Sequence, residues 1–359
     1  LQDGGCMGIL VNTVRKAQEI AACLRDKTDF RIIVCHAQFV MADRSVKEAE
    51  LQRLLGKTST PKERDRLVVV GTQVLEQSLD IDFDCLVTEL CPMDLLLQRI
   101  GRLHRHNRRR PERLRTAKCY VLDTADGSLD GGSESVYGKW LLLRTRALLP
   151  ETIHLPDDIP NLVQDTYQWT EADPLADRMD VQNAKEAYEI DQKDREQSAW
   201  EYRLPEPYEY EDMPWMNTIH DYLDKDIGSS EAYAEARVRD GDPSVDVLLM
   251  IKRADGTFGF LPWVDAQTRL SGDVPPSKEN CLQILNQRLR LPSRFNKRWT
   301  IDSTIRALEE DTCAFLAAWQ AANMLHGELF LLLDESLQGR IGDSTVQYDP
   351  DMGFMIQKG

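Results

Sequence analysis

A chain of 359 residues, 42% hydrophobic and 29% charged, has room for about two globular domains and falls outside the disordered and fibrous classes. No apolar run approaches the roughly 18 residues that cross a bilayer and no charged-then-apolar leader opens the chain, so a soluble, cytosolic protein is expected. The net charge of −16 argues against a nucleic-acid partner only if it is spread evenly, and it is not: residues 1–150 carry 24 Lys+Arg against 20 Asp+Glu, residues 165–242 only 8 against 22.

In chain order, residues 8–12 read as a strand and 14–24 as a helix, 31–36 as a strand and 42–55 as a helix. Residues 67–70, almost purely Val, then 85–89 and 118–123 read as further strands. Apolar strands alternating with helical patterns predict a doubly wound α/β domain around a parallel sheet. A helix over 135–150 leads out of it, and Pro156, Asp157, Asp158 and Pro160 break that pattern. Residues 171–202 form a long charged pattern, expected as an exposed helix between domains, and 204–212, rich in Pro, Glu and Tyr, as an extended connector. A second compact unit begins near Ser244, with strands over 245–253, 258–263, 328–334 and 344–348 and one or two helices over 301–325. The eight cysteines are scattered, with no Cys-x-x-Cys pair, and predict neither zinc nor disulfides.

Two segments carry chemistry. Gln98-Arg99-Ile100-Gly101-Arg102-Leu103-His104-Arg105 follows an apolar helix start. Arginines three apart on a helix share a face and can reach one phosphate, while Gly101 permits close backbone approach. That fits an arginine finger, which stabilises charge developing on transferred phosphoryl oxygens and is worth ~10³ to 10⁵ in rate in other systems. A plain basic surface helix needs no such residues at fixed offsets. Upstream, the strand 68–70 ends in Gly71-Thr72, a short helix follows, and Asp80 precedes the next strand. At the C-terminal edge of a parallel sheet, the Thr72 hydroxyl is suited to a backbone phosphate and Asp80 to a ribose or an Arg.

These segments resemble motifs VI and V of superfamily 2 helicases, and Asn12-Thr13-Val14 after the first strand resembles motif IV. The wording Gly71-Thr72-Gln73-Val74-Leu75-Glu76-Gln77-Ser78-Leu79-Asp80-Ile81-Asp82 with Gln98 through His106 is similar to the signature helicase-nuclease of type I CRISPR systems, in the subtype whose interference complex is Cascade. The tail 346–353 and the mixed domain before it also resemble that family. The resemblance implies the C-terminal half of such an enzyme: a second RecA-like domain at 1–150, an acidic helical linker at 151–243 and an α+β accessory domain at 244–359. It further implies that Arg102 and Arg105 act on ATP phosphate, that Gln98, Asp80 and Gly101 help form the nucleotide site, and that Thr72 and Thr13 touch single-stranded DNA. Arg99 is left between a salt bridge within the domain and no assigned role. ATP and Mg2+ would be held mainly by a first RecA-like domain outside this chain. The implied partners are single-stranded DNA, the first RecA-like and nuclease domains on the same or a separate chain, and the guide-RNA complex Cascade.

The phosphate loop of a complete helicase is missing. Gly56-Lys57-Thr58 imitates its end, but Leu51 stands where the first glycine belongs and the segment follows a helix. His220-Asp221 is an isolated doublet in a chain of six histidines, not a nuclease cluster. A start at Leu1 agrees with a piece of a longer polypeptide or half of a split system. The chain alone is therefore expected to be an inactive part of an ATP-dependent helicase. The alternatives are a non-catalytic interaction subunit, or a superfamily 2 helicase acting on RNA or in restriction. Arg108 and Arg109, with Arg110, Arg113 and Arg115, either line a DNA path or solvate a loop. Arg288, Arg290, Arg294, Phe295, Lys297, Arg298 and Trp299 have the composition of a single-strand stacking groove, although a solvated turn is the expected reading.

Overall fold

The computed structural model describes residues 1–76, 79–169, 173, 175–200 and 244–357. The chain divides into two compact units, Leu1–Trp169 with Pro243–Gly359, and Thr170–Asp242. The His220-Asp221 doublet and the connector at 204–212 lie outside the described residues.

The first unit opens with a wholly parallel five-stranded sheet in the order β2-β3-β1-β4-β5, from β1 (Cys6–Leu10), β2 (Arg31–Cys35), β3 (Leu67–Gly71), β4 (Cys85–Glu89) and β5 (Cys119–Leu122). Every residue of β3 is buried, as an unalternating Leu-Val-Val-Val-Gly run requires when both faces are covered. Alternate side chains go to opposite faces. Ile9, Val68 and Val70 meet Ala17 and Ala21 of α1 (Val14–Lys27), whereas Leu10 and Val69 meet Leu51, Leu54 and Leu55 of α2 (Met41–Leu55).

After α3 (Met93–Ile100) the expected single helix at 135–150 is two, α4 (Gly131–Tyr137) and α5 (Lys139–Leu148), parted by Gly138 at φ +76°. Pro160 does not break a helix but lies in the first turn of α6 (Ile159–Tyr167), where its missing N–H is no loss. Leu162 and Val163 of α6 pack with Leu96 and Leu97 of α3. Buried Arg144 donates to the carbonyls of Thr166 at 3.1 Å and Gln168 at 2.9 Å. The compact unit that begins at Leu1 thus continues through α6 to Trp169. In the second unit α7 (Met179–Trp200) is the expected charged helix, with ion pairs Lys185–Glu189 and Asp191–Arg195 one turn apart.

The C-terminal part forms a mixed sheet in the order β12-β11-β10-β9-β6-β7, with β8 also paired to β6. Its elements are β6 (Asp246–Lys252), β7 (Phe258–Gly259), α8 (Lys278–Leu285), β8 (Arg288–Arg290), α9 (Ile301–Phe315), β9 (Phe330–Leu333), β10 (Gln338–Ile341), β11 (Ser344–Asp349) and β12 (Gly353–Ile356). Strands of three or four residues such as β8, β10 and β12 are too short for periodicity to reveal. The strand expected over 258–263 shrinks to two residues, and the segment 301–325 holds α9 followed by a short 3-10 helix, Ala317–Ala321.

This sheet shares a core with the first one. Val247, Leu249, Leu331, Val346 and Tyr348 join Ile9, Val11, Val34 and Ala21 in one buried apolar cluster. Polar groups fix the docking: Tyr348 Oη donates to Asp43 Oδ2 at 2.7 Å and accepts from the Val40 N–H at 3.0 Å, and Trp263 Nε1 donates to Asp43 Oδ1 at 2.8 Å. Gly353, at φ +72°, lets the β11–β12 turn approach the loop after β2; a Cβ there would lie 2.6 Å from the Gln38 carbonyl oxygen. Among the described residues no helix is long and apolar enough to cross a membrane.

Candidate functional site

The strand C-termini at Leu10, Cys35, Gly71 and Glu89 share one edge of the first sheet, the edge at which open α/β sheets bind ligands. Thr13 and Thr72 follow β1 and β3 there. Thr13 is partly buried and caps α1, its Oγ1 accepting from the Lys16 N–H at 3.4 Å. Thr72 is only 3% exposed, so in this conformation the expected DNA contact has almost no hydroxyl surface to use. Asp80 does not join them. The described residues after Leu79 run toward the end of α2, where the Asp82 N–H donates to the Leu55 carbonyl at 3.1 Å.

There Asp80 meets Arg102 and Arg105. Arg105 Nε donates to Asp80 Oδ1 at 2.6 Å, and His106 Nε2 stands 3.2 Å from the same oxygen. The Arg105 hydrogen bond holds the Asp80 carboxyl below its ordinary pKa. Arg102 Nη2 donates to the Glu76 carbonyl at 2.7 Å, while its buried Nε has no hydrogen-bond partner. Burial, then the charge of Arg105, lowers the Arg102 pKa. The shared helix face expected for these arginines is corrected. Helix α3 ends at Ile100, Leu103 bridges Phe83 in parallel, and His104 takes φ +51°. Turn geometry and Asp80, not helical period, bring Arg102 and Arg105 together. Gly101 has ordinary right-handed angles, φ −61° and ψ −8°, so its conformation does not demand glycine, but a Cβ would crowd the Gln98 carbonyl oxygen at 3.3 Å. Gln98 is exposed on α3.

Beneath this loop lies a buried charge cage that the sequence reading missed. Arg110 Nη2 binds both Asp82 oxygens at 2.9 and 3.0 Å and its Nη1 binds Asp84. Arg64 Nη2 donates to Asp84 Oδ1 at 2.7 Å, the Cys6 N–H to Asp84 Oδ2 at 2.8 Å, and the Arg105 N–H to Asp82 Oδ1 at 2.9 Å. The alternation Asp80-x-Asp82-x-Asp84, set against a run of arginines, was the available signal. Arg108 belongs to this cage: Nε is 2.7 Å from Asp82 Oδ2, Nη1 donates to Ser59 Oγ at 2.8 Å and Nη2 to the Gly56 carbonyl at 2.9 Å. Its nucleic-acid assignment finds no support, because both terminal nitrogens donate inside the fold and the remaining Nε is buried against Asp82 without a hydrogen bond. The phosphate-loop mimic at Gly56 presents its carbonyl to Arg108. Arg109, by contrast, is exposed, beside a hollow of about 660 Å³ lined also by Arg105 and Arg115.

Arg99 resolves to the salt bridge. It is 0% exposed and bonds Glu76 Oε1 at 2.7 Å through Nε, Thr88 Oγ1 at 2.7 Å and Asn12 Oδ1 at 2.9 Å. Asn12 adjoins Thr13 and the Glu76 carbonyl holds Arg102, so one bonded chain runs from the strand-end edge to the arginine loop. All eight cysteines are free thiols, and the described residues contain no group of three or more His, Cys, Asp or Glu side chains placed to hold a metal ion.

Two family profiles match. One, described as CRISPR-associated nuclease/helicase Cas3, C-terminal, covers residues 3–108; the other, Cas3 C-terminal domain, covers 239–354. The chain belongs to the Cas3 family. It is 36% identical over its whole length to the CRISPR-associated nuclease/helicase Cas3 of Streptococcus thermophilus and spans 39% of that Cas3 protein. A solved structure titled as a CRISPR-associated protein aligns with all of this chain and 39% of its own, at TM-score 0.80 and 27% identity. T. fusca Cas3 with ATP shares the fold over 99% of this chain and 39% of its own, at TM-score 0.76 and 24% identity. The motifs match the C-terminal Cas3 region with its RecA-like sheet and its mixed C-terminal sheet.

Proposed function

We propose that this chain supplies the second nucleotide-binding face, and part of the DNA path, of a Cas3-type motor that pulls single-stranded DNA during CRISPR interference. The observation that carries the reading is the arginine loop, where Arg102 and Arg105 stand beside a half-exposed Asp80 on a rigid buried cage. Two cations are far more than a scaffold needs, and Arg102 Nε has an unmet donor in a part-buried setting where an anion would be strongly held. Bound between this face and a first RecA-like domain, ATP supplies the transferable phosphoryl group. Arg102 and Arg105 would stabilise its developing negative charge, Asp80 would release Arg105 and accept from the ribose, and Gln98 would face the nucleotide. Mg2+ would be held mainly by that first RecA-like domain.

Arg109 and the Thr13 edge are the DNA contacts this reading retains. The mixed C-terminal sheet would wall the channel, and the guide-RNA complex Cascade would be the docking partner. DNA-stimulated ATP hydrolysis tests the reading, measured for the chain alone and after mixing with a separately made phosphate-loop and nuclease piece. Activity that appears only on mixing and disappears in Arg105→Ala supports it. Two folded pieces in contact that stay inactive would count for a non-catalytic interaction subunit.

A further inference from the structure

We infer that Trp299 and the arginines around it form a single-stranded DNA contact beside the C-terminal sheet. Residues 288–306 carry six Lys+Arg and one acid, Asp302, within a chain whose net charge is −16. Arg288 pairs with Glu328 at 2.6 Å, and Arg290 Nε stands 3.6 Å from Asp246. Arg294, Arg298 and Arg306 are exposed.

The loop presenting them is built from below. Phe295 is buried at 5% exposure, and Asn296, at 4%, donates to the Leu291 carbonyl at 2.9 Å and accepts from the Val245 N–H at 3.1 Å. Thr300 Oγ1 closes the turn on the Arg294 carbonyl at 2.9 Å. With its interior satisfied, the turn holds Trp299 outward at 81% exposure, the most exposed large hydrophobic side chain among the described residues. A tryptophan so exposed keeps its apolar faces in water, open to a stacking partner. Arg294 leans over the Phe295 ring at 5.4 Å and reaches Ser344 at 3.3 Å, which aims the guanidinium along the surface.

A fixed, open indole face takes a nucleobase by stacking, whichever base it is, and the cations beside it take the phosphates on either side. A duplex, whose bases are already stacked, cannot use the indole. The contact extends the proposed DNA path and so rests on that reading, but its test needs no ATP.

Binding of labelled oligo(dT), oligo(U) and duplex DNA to the full chain would be titrated by anisotropy at low salt, without nucleotide. Trp299→Ala is expected to weaken oligo(dT) binding roughly 5- to 150-fold while Trp299→Phe stays close to wild type. Arg294→Ala is expected to shallow the salt slope by about 0.7. A photoreactive oligo(dT) should crosslink at Trp299. Wild-type affinity in Trp299→Ala with an unchanged melting temperature overturns the proposal, and so does a crosslink confined to the first sheet. A loss seen only with oligo(U) or duplex overturns the DNA assignment. Failure here would leave Arg105-dependent ATP hydrolysis untouched, so the two readings fail separately.

Discussion

Arg99 and Glu76 form a completely buried ion pair, Nη2 to Oε1 at 2.6 Å with both side chains at 0% exposure. Burial pushes the Glu76 carboxyl above its ordinary pKa against the pull of Arg99, so each charge depends on the other. Removing one partner strands a buried ion. Glu76→Ala should destabilise the chain by about 3–5 kcal/mol. Arg99→Met with Glu76→Leu, which removes both charges, should cost less than Glu76→Ala alone. Denaturant unfolding of the single and double variants decides this; equal losses would mean that the pair is not what holds the site.

Arg108 and Arg109 are neighbours with opposite fates, one bonded into the Asp82 cage and the other exposed. Arg108→Ala is expected to lower stability by about 1–3 kcal/mol, since Asp82 loses a charged partner. Arg109→Ala should leave the melting temperature unchanged and weaken single-strand binding. Melting curves and oligo(dT) titration of both variants check the contrast.

The Asp80–Arg105 pair is open to water, with side chains 47% and 43% exposed. Such pairs contribute about 0–1 kcal/mol. The Asp80 pKa is depressed, so whatever the pair adds is present above the unfolded carboxylate pKa and lost as pH falls through the folded value. Asp80→Asn should therefore barely move the melting temperature at neutral pH yet abolish most of the reconstituted ATP hydrolysis. A large melting shift with activity intact would reverse the assignment.

His36 lies in the docking of the two sheets, fully buried. Its Nδ1 accepts from the Gln38 N–H at 3.2 Å while Nε2 lies 3.1 Å from the Met352 carbonyl, which fixes a neutral ring with the proton on Nε2. Burial, with Lys47 adding like charge, pushes its pKa down to about 4 from 6.5. A lowered histidine pKa means that the unfolded chain takes up the proton first. Stability should fall by up to roughly 3 kcal/mol as pH drops from about 6.5 to 4. His36→Gln should flatten that part of the profile, as thermal melts across the range would reveal.

Much of the architecture was legible in the residues. Unbroken apolar runs and period-3.6 patterns placed the parallel sheet and its helices to within a few residues, because a strand covered on both faces needs no polar alternation, as in Ile32–Val34 and Leu67–Val70. Spacing paired Arg102 with Arg105 and the family resemblance added Asp80 to them; in the structure Asp80 pairs with Arg105, beside Arg102. The reason given for their closeness, a common helix face, was wrong, because α3 stops at Ile100 and a turn does the work.

What tertiary structure alone decided is which charges are spoken for. Arg99, Arg102, Arg105, Arg108, Arg109 and Arg110 look alike in sequence, yet Arg99 and Arg110 are buried counterions, Arg108 is bonded to loop carbonyls and Asp82, and Arg109 is open. Their partners, Glu76, Asp82 and Ser59, lie 23 to 49 positions away. The joining of the C-terminal sheet to the first one through Tyr348 and Asp43, 305 positions apart, was equally beyond local pattern. Local periodicity records which face of an element is apolar; it carries no record of which distant charge comes to lie opposite a given arginine once the chain closes.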